Sequence, residues 1–537
     1  MGVKRRYKKK CLGIIICIVS TCFTILLWLI VTGKMTSKPK NVMVISNRQK
    51  IRPIPDLQKL TPQDAPEYRL WHLDLKGAPP KISYIEKVLK LVKSAGATGV
   101  LVEWEDMFPF SGKIANFSAK NAYNIVEVKK LYKVINDLEL LYIPLVQSLG
   151  HLEYVLKQQT WRHLRESDNM PAEACPSNPE TMSLVLEAIR QIVDLTPSAV
   201  LHIGADEVFN LGKCPKCLQS GKSSLSLYVN YIKNLAKTIK DTWSLRILIW
   251  DDMIRSTPTH LVKELTDLVE PVVWAYGENV LQLLPPLVIQ NHMQNFPNVW
   301  MGAAFKGAFG PTEVMPNAHR HSGNTVAWSE ISKIFNRYSG PKINGMIITG
   351  WSRYDHFATL CELLPPSIPS LIFTMIVATT GQINEDTIDT LHNLLKCSPK
   401  VYLAPSRDPH LWAARDCHFE GSDISRFLHR YVTLKTELHK LSDLVEEKEG
   451  WFTSYNFVHR FSSPIKNLKI SDELKNHKYE IDYLKTEISK IFPKYFDNFT
   501  ITEWQEQHLK PLDEKITFMI HKTEILLSQS VWPRRPL

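Results

Sequence analysis

The chain has 537 residues, 65 of them Lys or Arg and 54 Asp or Glu, for a net charge of +11 at pH 7. Twelve of the basic residues lie within residues 1–55, which contain no acid, so the rest of the chain is close to neutral. The excess suits anionic lipid and gives no footprint for nucleic acid, and no fixed-period repeat or low-complexity segment is present.

Lys4, Arg5, Arg6, Lys8, Lys9 and Lys10 precede an uncharged apolar run from Cys11 to Thr32. At about 1.5 Å of rise per residue such a run crosses the roughly 30 Å of hydrocarbon in a bilayer. The sequence therefore predicts a cytosolic tail over 1–10, a transmembrane signal anchor over 11–32 and a stalk over 33–66. The remainder would be luminal or extracellular, as in a single-pass type II protein of the Golgi or secretory pathway. A cleaved signal peptide is the alternative. Gly2 does not mark a myristoylation site, because position 6 is Arg.

From Tyr68 onward, apolar runs of strand length alternate with helical periodicity. The strands are expected at 69–75, 99–103, 141–147, 199–204, 246–250, 271–276, 299–304 and 346–350. Between them Ile85, Val88, Leu89 and Val92 share one helix face. Ile125, Val128, Leu131, Tyr132 and Ile135 share another, and Val185, Ala188, Ile189 and Ile192 a third. Eight βα units predict a (β/α)8 barrel over 67–381, an α/β fold. An open doubly wound sheet is the runner-up, but the first strand leads into Lys76-Gly77-Ala78-Pro79-Pro80 instead of a dinucleotide fingerprint.

Beyond residue 381 strand signals cease. Leu434, Leu438 and Leu441, then Leu474, Ile481, Leu484 and Ile488, then Leu512, Ile516 and Met519 predict amphipathic helices over 382–537. They would form a helical layer or small bundle. A dimerising coiled coil, and with it a homodimer, is the alternative.

Three of the nine cysteines fall in the apolar run; an oxidising lumen would permit disulfides among the other six. Cys214-Pro215-Lys216-Cys217 supplies two of the four ligands zinc needs, so a structural role is expected of it, with no metal and no cofactor. Asn116-Phe117-Ser118 and Asn498-Phe499-Thr500 are glycosylation sequons.

The stretch with most chemistry is Val200-Leu201-His202-Ile203-Gly204-Ala205-Asp206-Glu207, a buried strand ending in two adjacent carboxylates. Two such acids repel, and one keeps its proton to higher pH, which gives an acid and a base at one pH. A helix N-cap is the plain alternative. Other expected strand ends carry His72 and Asp74, Glu103 to Asp106, His151, Trp250 to Asp252, Trp274, Tyr276, and Trp351 to His356. Any one of them is ordinary. Together, aromatic faces and carboxylates are what a sugar site needs.

The His-x-Gly-x-Asp-Glu pattern resembles the signature of the glycoside hydrolase family 20 β-N-acetylhexosaminidases. His72 to Pro80, Glu105 to Pro109, Ile143 to Gln147 with Gly150-His151, Trp250 to Met253, Thr349 to His356 and Cys361 to Pro365 resemble a divergent branch of that family. The resemblance implies a retaining exo-hydrolase of N-acetylhexosamine-terminated glycans, in which the substrate's 2-acetamido oxygen replaces an enzyme nucleophile. It implies Glu207 as general acid and Asp206 as the partner of the acetamido N–H. Trp250, Trp274 and Trp351 would form the apolar pocket, and Tyr276 or Tyr354 would donate to the acetamido oxygen. His151 and His202 would order the acids, and Asp74 and Asp355 would read sugar hydroxyls. The polarity of the first and last strand ends, with Lys76 on one and Arg353 and Asp355 on the other, departs from the family pattern, so the choice between GalNAc and GlcNAc rests on the branch alone. A catalytically silent, membrane-anchored glycan-binding protein on the same barrel is the reading from another class. A phosphate loop fails because Ala308 stands where Lys is needed.

Overall fold

The computed structural model describes residues 65–255, 257–336 and 342–535. The predicted tail and membrane span lie outside them, as does nearly all of the predicted stalk. Among the described residues no helix is long and apolar enough to cross a membrane.

Ten strands form in chain order: β1 (Tyr68–Asp74), β2 (Gly99–Glu103), β3 (Leu141–Leu145), β4 (Arg165–Ser167), β5 (Met170–Ala174), β6 (Val200–His202), β7 (Arg246–Trp250), β8 (Glu270–Trp274), β9 (Asn298–Lys306) and β10 (Lys342–Gly350). Eight of them close into a parallel barrel in the order β1, β2, β3, β6, β7, β8, β9, β10. β10 completes the ring by pairing with β1, from Tyr68 opposite Gly345 to Trp71 opposite Ile348. All eight expected strands are in this ring. β4 and β5 are a separate antiparallel hairpin, whose Arg165-Glu166-Ser167 and Met170-Pro171-Ala172-Glu173-Ala174 carry no apolar run to signal it.

Alternate residues divide the barrel into two apolar compartments, as the period of two requires. Leu70, Leu101, Ile143, Leu145, Leu248, Val272, Trp300 and Ile347 fill the interior. Trp71, Val100, Val102, Ile247, Ile249, Met301 and Ile348 face the helices. Gly345 makes room for Trp300, since a β-carbon there would collide with the indole.

The helices used below are α1 (Ile82–Ser94), α2 (Ile125–Asp137), α3 (Pro179–Leu195), α4 (Ser224–Trp243), α5 (Ala318–Asn336), α6 (Ile368–Thr380), α7 (Ser422–Ser442), α8 (Pro464–Ile491) and α9 (Lys510–Leu527). α1 buries Ile82, Ile85, Val88, Leu89 and Val92 against the barrel. α2 starts on a reciprocal capping box between Asn124 and Glu127. All 13 residues of α6 are buried. It ends at Gly381, whose φ of 71° supplies the left-handed cap. α8 packs on both α7 and α9, and the segment between α8 and α9 holds the barrel through specific bonds. Lys81 N–H donates to Tyr495 O at 2.7 Å, Leu360 N–H to Gln507 Oε1 at 2.8 Å, and Arg353 pairs with Glu503. Cys397 and Cys417 form a disulfide between α6 and α7.

Candidate active site

The site is built where β6 ends. The chain leaves His202 and turns sharply: Gly204, Ala205 and Glu207 have φ of 61°, 67° and 51°. Gly204 is required, because a β-carbon would collide with the Gln147 side-chain oxygen. Ala205 and Glu207 take left-handed backbone without that freedom, as does His151 at φ 51°. Such strain gathers where function over-determines the backbone. Gly150 lets the chain pass close to the Asp206 carbonyl.

The turn brings both acids to one imidazole. His151 Nε2 lies 3.5 Å from Asp206 Oδ2 and 3.3 Å from Glu207 Oε2. Burial alone would lower the His151 pKa. The Asp206 charge and the bond to Glu207 outweigh burial and push it up to about 10. The two acids are not equivalent. Burial raises Asp206 above the usual aspartate range against the opposing pull of His151. Glu207 is held below the usual glutamate range, first by its bond to His151 and against a desolvation that works the other way. Glu207 is 47% exposed and Asp206 18%. The sequence led us to expect one protonated acid in the pair. The held proton instead sits on His151, whose imidazole favours the charged form of Glu207, while burial works against that of Asp206.

Asp252, which the sequence reading did not single out as a site residue, anchors this turn. Its Oδ2 accepts from Glu207 N–H at 2.8 Å and its Oδ1 from Trp274 Nε1 at 3.3 Å. Burial, reinforced by Asp206, raises its pKa to about 7. The Trp250-Asp251-Asp252 run at a strand end was the available signal.

Three aromatics form one wall. Trp274 stacks on Tyr276 with centroids 5.2 Å apart, and Tyr276 meets Trp351 edge-on at 5.4 Å. Trp250 lies deeper, in the barrel interior, against the His202 ring at 4.5 Å. Burial lowers the His202 pKa to about 3, so the ring is neutral. Its Nδ1 accepts from Gly204 N–H at 3.0 Å, and its Nε2 has no hydrogen-bond partner among the described residues.

Two candidates are engaged elsewhere. The Tyr354 hydroxyl accepts from Gly310 N–H at 2.9 Å, and the residue is exposed. Asp355 Oδ1 accepts from Phe357 N–H and Ala358 N–H at 2.7 and 2.9 Å, closing a turn. Both lie past the end of β10, where strand register no longer fixes direction, and these bonds do not tie either of them to the acid pair. Asp74 is buried and inward. Its oxygens accept from Lys76 N–H at 2.9 Å and Ser352 N–H at 3.3 Å. Lys76 turns in to Glu105 at 3.1 Å and Arg353 turns out to Glu503, so the two cations suspected of exchanged hydroxyl recognition are both spent in internal pairs.

Beneath the acids lies a network of buried polar groups. Glu103 takes His72 Nε2 at 2.9 Å and Gln147 Nε2 at 3.0 Å, and Glu105 takes His356 Nε2 at 2.6 Å. Gln147 Oε1 in turn approaches Ala205 N–H at 3.4 Å, so this network reaches the turn that carries the acids.

The family description "Glycosyl hydrolase family 20, catalytic domain" matches residues 142–282, which include His151, both acids, Asp252 and Trp274. The chain is 33% identical over 482 residues to hexosaminidase D of Homo sapiens, covering 88% of this chain and 97% of that one. It is 36% identical over 339 residues to hexosaminidase D of Bos taurus, covering 62% and 97%. Among solved structures, a β-N-acetylhexosaminidase from Bacteroides fragilis is similar at 16% identity and a TM-score of 0.44, over 60% of this chain and 68% of that one.

Proposed function

Because the chain belongs to glycosyl hydrolase family 20, and is a glycoside hydrolase of the hexosaminidase kind, we propose that it removes terminal β-linked N-acetylhexosamine from glycans and glycoconjugates with retention of configuration. The observation that carries the reading is the single imidazole of His151 within 3.5 Å of both Asp206 and Glu207. It ties a half-buried acid, an exposed acid and a held proton into one unit beside an aromatic wall.

Each residue then has a role. The buried Asp206 Oδ1, which has no partner among the described residues, accepts the N–H of the 2-acetamido group. As the acetamido oxygen attacks the anomeric carbon, positive charge grows on the ring that forms, and ionised Asp206 stabilises it. Glu207 protonates the departing oxygen and later activates water. Its proton starts on His151. A bound sugar covers the exposed face of Glu207, and that desolvation raises its affinity for the proton 3.3 Å away. His151 is thus a proton holder as well as an ordering residue. Trp274, Tyr276 and Trp351 enclose the acetamido methyl and sugar ring, and Tyr276 is the donor to the acetamido oxygen. Trp250 and His202 support the pocket from below. No second carboxylate acts as nucleophile, in contrast with the two-carboxylate scheme. The preferred sugar is GalNAc, a choice made by likeness to the hexosaminidase D branch.

The same proposal covers location. Residues 1–10 stay cytosolic, 11–32 span the membrane, and the barrel works in the lumen or outside the cell. The basic flank of the apolar run supports it. So do the Cys397–Cys417 disulfide, which suits an oxidising compartment, and the exposure of Asn116 and Asn498. Hydrolysis of chromogenic β-GalNAc and β-GlcNAc glycosides across pH tests the activity. Turnover of both with GalNAc favoured is expected. Binding of either sugar without turnover of any β-N-acetylhexosaminide contradicts the proposal in favour of a silent glycan-binding protein.

A further inference from the structure

The Cys214–Cys217 pair supplies half of a tetrahedral metal site, and the fold supplies the other half. Cys175 directly follows β5, and Glu166 is the central residue of β4. Cys175 Sγ lies 3.1 Å from Cys214 Sγ and 3.6 Å from Cys217 Sγ. Cys217 Sγ lies 3.2 Å from Glu166 Oε2. The four ligand atoms all fall within 4.8 Å of one another. The three cysteines are free thiols in a fold that already bonds Cys397 to Cys417.

We propose that Glu166, Cys175, Cys214 and Cys217 bind one zinc ion, which clips the β4–β5 hairpin to the loop that begins at Glu207. Three thiolates and a carboxylate are borderline-soft ligands suited to zinc. Zinc–sulfur bonds of about 2.3 Å put tetrahedral sulfurs about 3.8 Å apart. The observed separations need only a small outward adjustment to admit the ion. The surroundings are already those of bound sulfur. Cys217 N–H donates to Cys214 Sγ at 3.3 Å, and Ser177 Oγ sits 3.1 Å from Cys217 Sγ. Pro215 starts the short helix that sets the spacing of the pair.

Glu166 separates this reading from a simple disulfide. It is 2% exposed, and among the described residues no Lys, Arg or His pairs with it. Its Oε1 accepts from Lys213 N–H at 2.7 Å and Cys214 N–H at 3.1 Å, which fixes the carboxylate with Oε2 toward the sulfurs. Coordination through Oε2 gives that carboxylate a positive partner at bonding distance, while the three thiolates leave the whole site two charges negative. A Cys175–Cys214 disulfide would leave Cys217 and Glu166 facing each other with no counter-charge. Four protein ligands close the coordination sphere, so the ion is structural and touches no substrate. Binding releases the three thiol protons. Neighbouring Glu173 holds the same loop at Phe209 N–H and Asn210 N–H, both 3.1 Å. Metal and hairpin together therefore fix the segment that leaves the acid pair.

The test is metal analysis and native mass spectrometry of the full chain purified without chelator, followed by exchange of the metal for Co²⁺. About one zinc per chain is expected. Cobalt should give thiolate charge-transfer bands in the near ultraviolet and tetrahedral bands in the visible. Cys175→Ser should fall below about a tenth of an equivalent of zinc, and chelation of the wild type should lower Tm and raise KM more than it lowers kcat. Less than about a tenth of an equivalent in the wild type with no cobalt uptake overturns the proposal. So does recovery of Cys175 in a disulfide with Cys214 or Cys217, or full zinc retention by folded Cys175→Ser. If that variant does not fold, the wild-type zinc content and cobalt spectrum decide alone.

Discussion

The two ends of the barrel are made from the same strands and differ in how completely their polar groups are matched. At the N-terminal end Arg246 meets Glu270 with two bonds of 2.9 Å, and the Trp300 indole gives its N–H to the same carboxylate at 2.8 Å. At the C-terminal end His202 Nε2 and Asp206 Oδ1 are buried without partners among the described residues. Four non-glycine residues there, Glu105, His151, Ala205 and Glu207, hold left-handed backbone, against Glu139 and Ser244 at the first end, and two carboxylates share one imidazole. Matched groups at the first end contribute to stability. Unmatched, strained groups at the second cost stability and stay available to a ligand, as in other barrels of this kind. Substitutions at the two ends should therefore fail in different ways.

The largest effect belongs to the proposed acid. Glu207→Gln should lower kcat by about three orders of magnitude or more on substrates with poor leaving groups, and much less on activated aryl glycosides. Its melting temperature should stay close to that of wild type. Equal loss on both substrate classes, measured by steady-state kinetics, would contradict the acid role. Next comes the tyrosine. Tyr276→Phe should cost about 10²-fold in kcat if its hydroxyl meets the acetamido oxygen, whereas Tyr354→Phe should stay within about twofold because its hydroxyl serves Gly310. The reverse ranking would return the choice to Tyr354.

A third comparison uses pH. Asp206 is raised by burial and restrained by His151, so His151→Asn should move the acidic limb of the kcat/KM profile upward. The stability signature has a fixed sign. The folded His151 pKa of about 10 lies above its ordinary 6.5. Its stabilisation is then complete below pH 6.5 and is lost as pH rises toward 10. Thermal melts of wild type should therefore fall across that window, with a shallower slope in His151→Asn. Parallel slopes would show that the imidazole is not the shared cation. The smallest catalytic effect is expected at the other end. Glu270→Ala should lower stability by about 2–3 kcal/mol through the lost partners of Arg246 and Trp300, with kcat per folded molecule unchanged. A kinetic defect there would erase the contrast between the two ends.

The barrel was legible because its strands are apolar on both faces and bounded by breakers, which reads as a short continuous run. α6 was illegible for the same reason carried further. A helix buried along all 13 residues has no polar face, so no 3.6-residue period exists to detect. The β4–β5 hairpin is polar and carries a proline, so no apolar run signalled it, and with it went Glu166 and the link from Cys175 to the Cys214–Cys217 pair. In the site, the adjacent carboxylates announced themselves. The partner of Glu207 came only through the family resemblance, because His151 is far away in sequence and its approach depends on a positive φ that a histidine rarely adopts. Tyr354 and Asp355 looked equivalent to Tyr276 by position after a strand. Only the path of the chain beyond β10 separates them.

The central claim is that the substrate supplies its own nucleophile between Asp206 and the aromatic wall. Matched 2-acetamido and 2-hydroxy β-glycosides with the same leaving group test it most directly. Intramolecular attack carries an effective molarity on the order of 10⁵ M or more in well-oriented systems. The account therefore predicts rapid hydrolysis of the first glycoside and essentially none of the second, with the second still binding as a competitive inhibitor. Comparable turnover of the two, or a glycosyl group recovered covalently on any Asp or Glu of the protein, would contradict it.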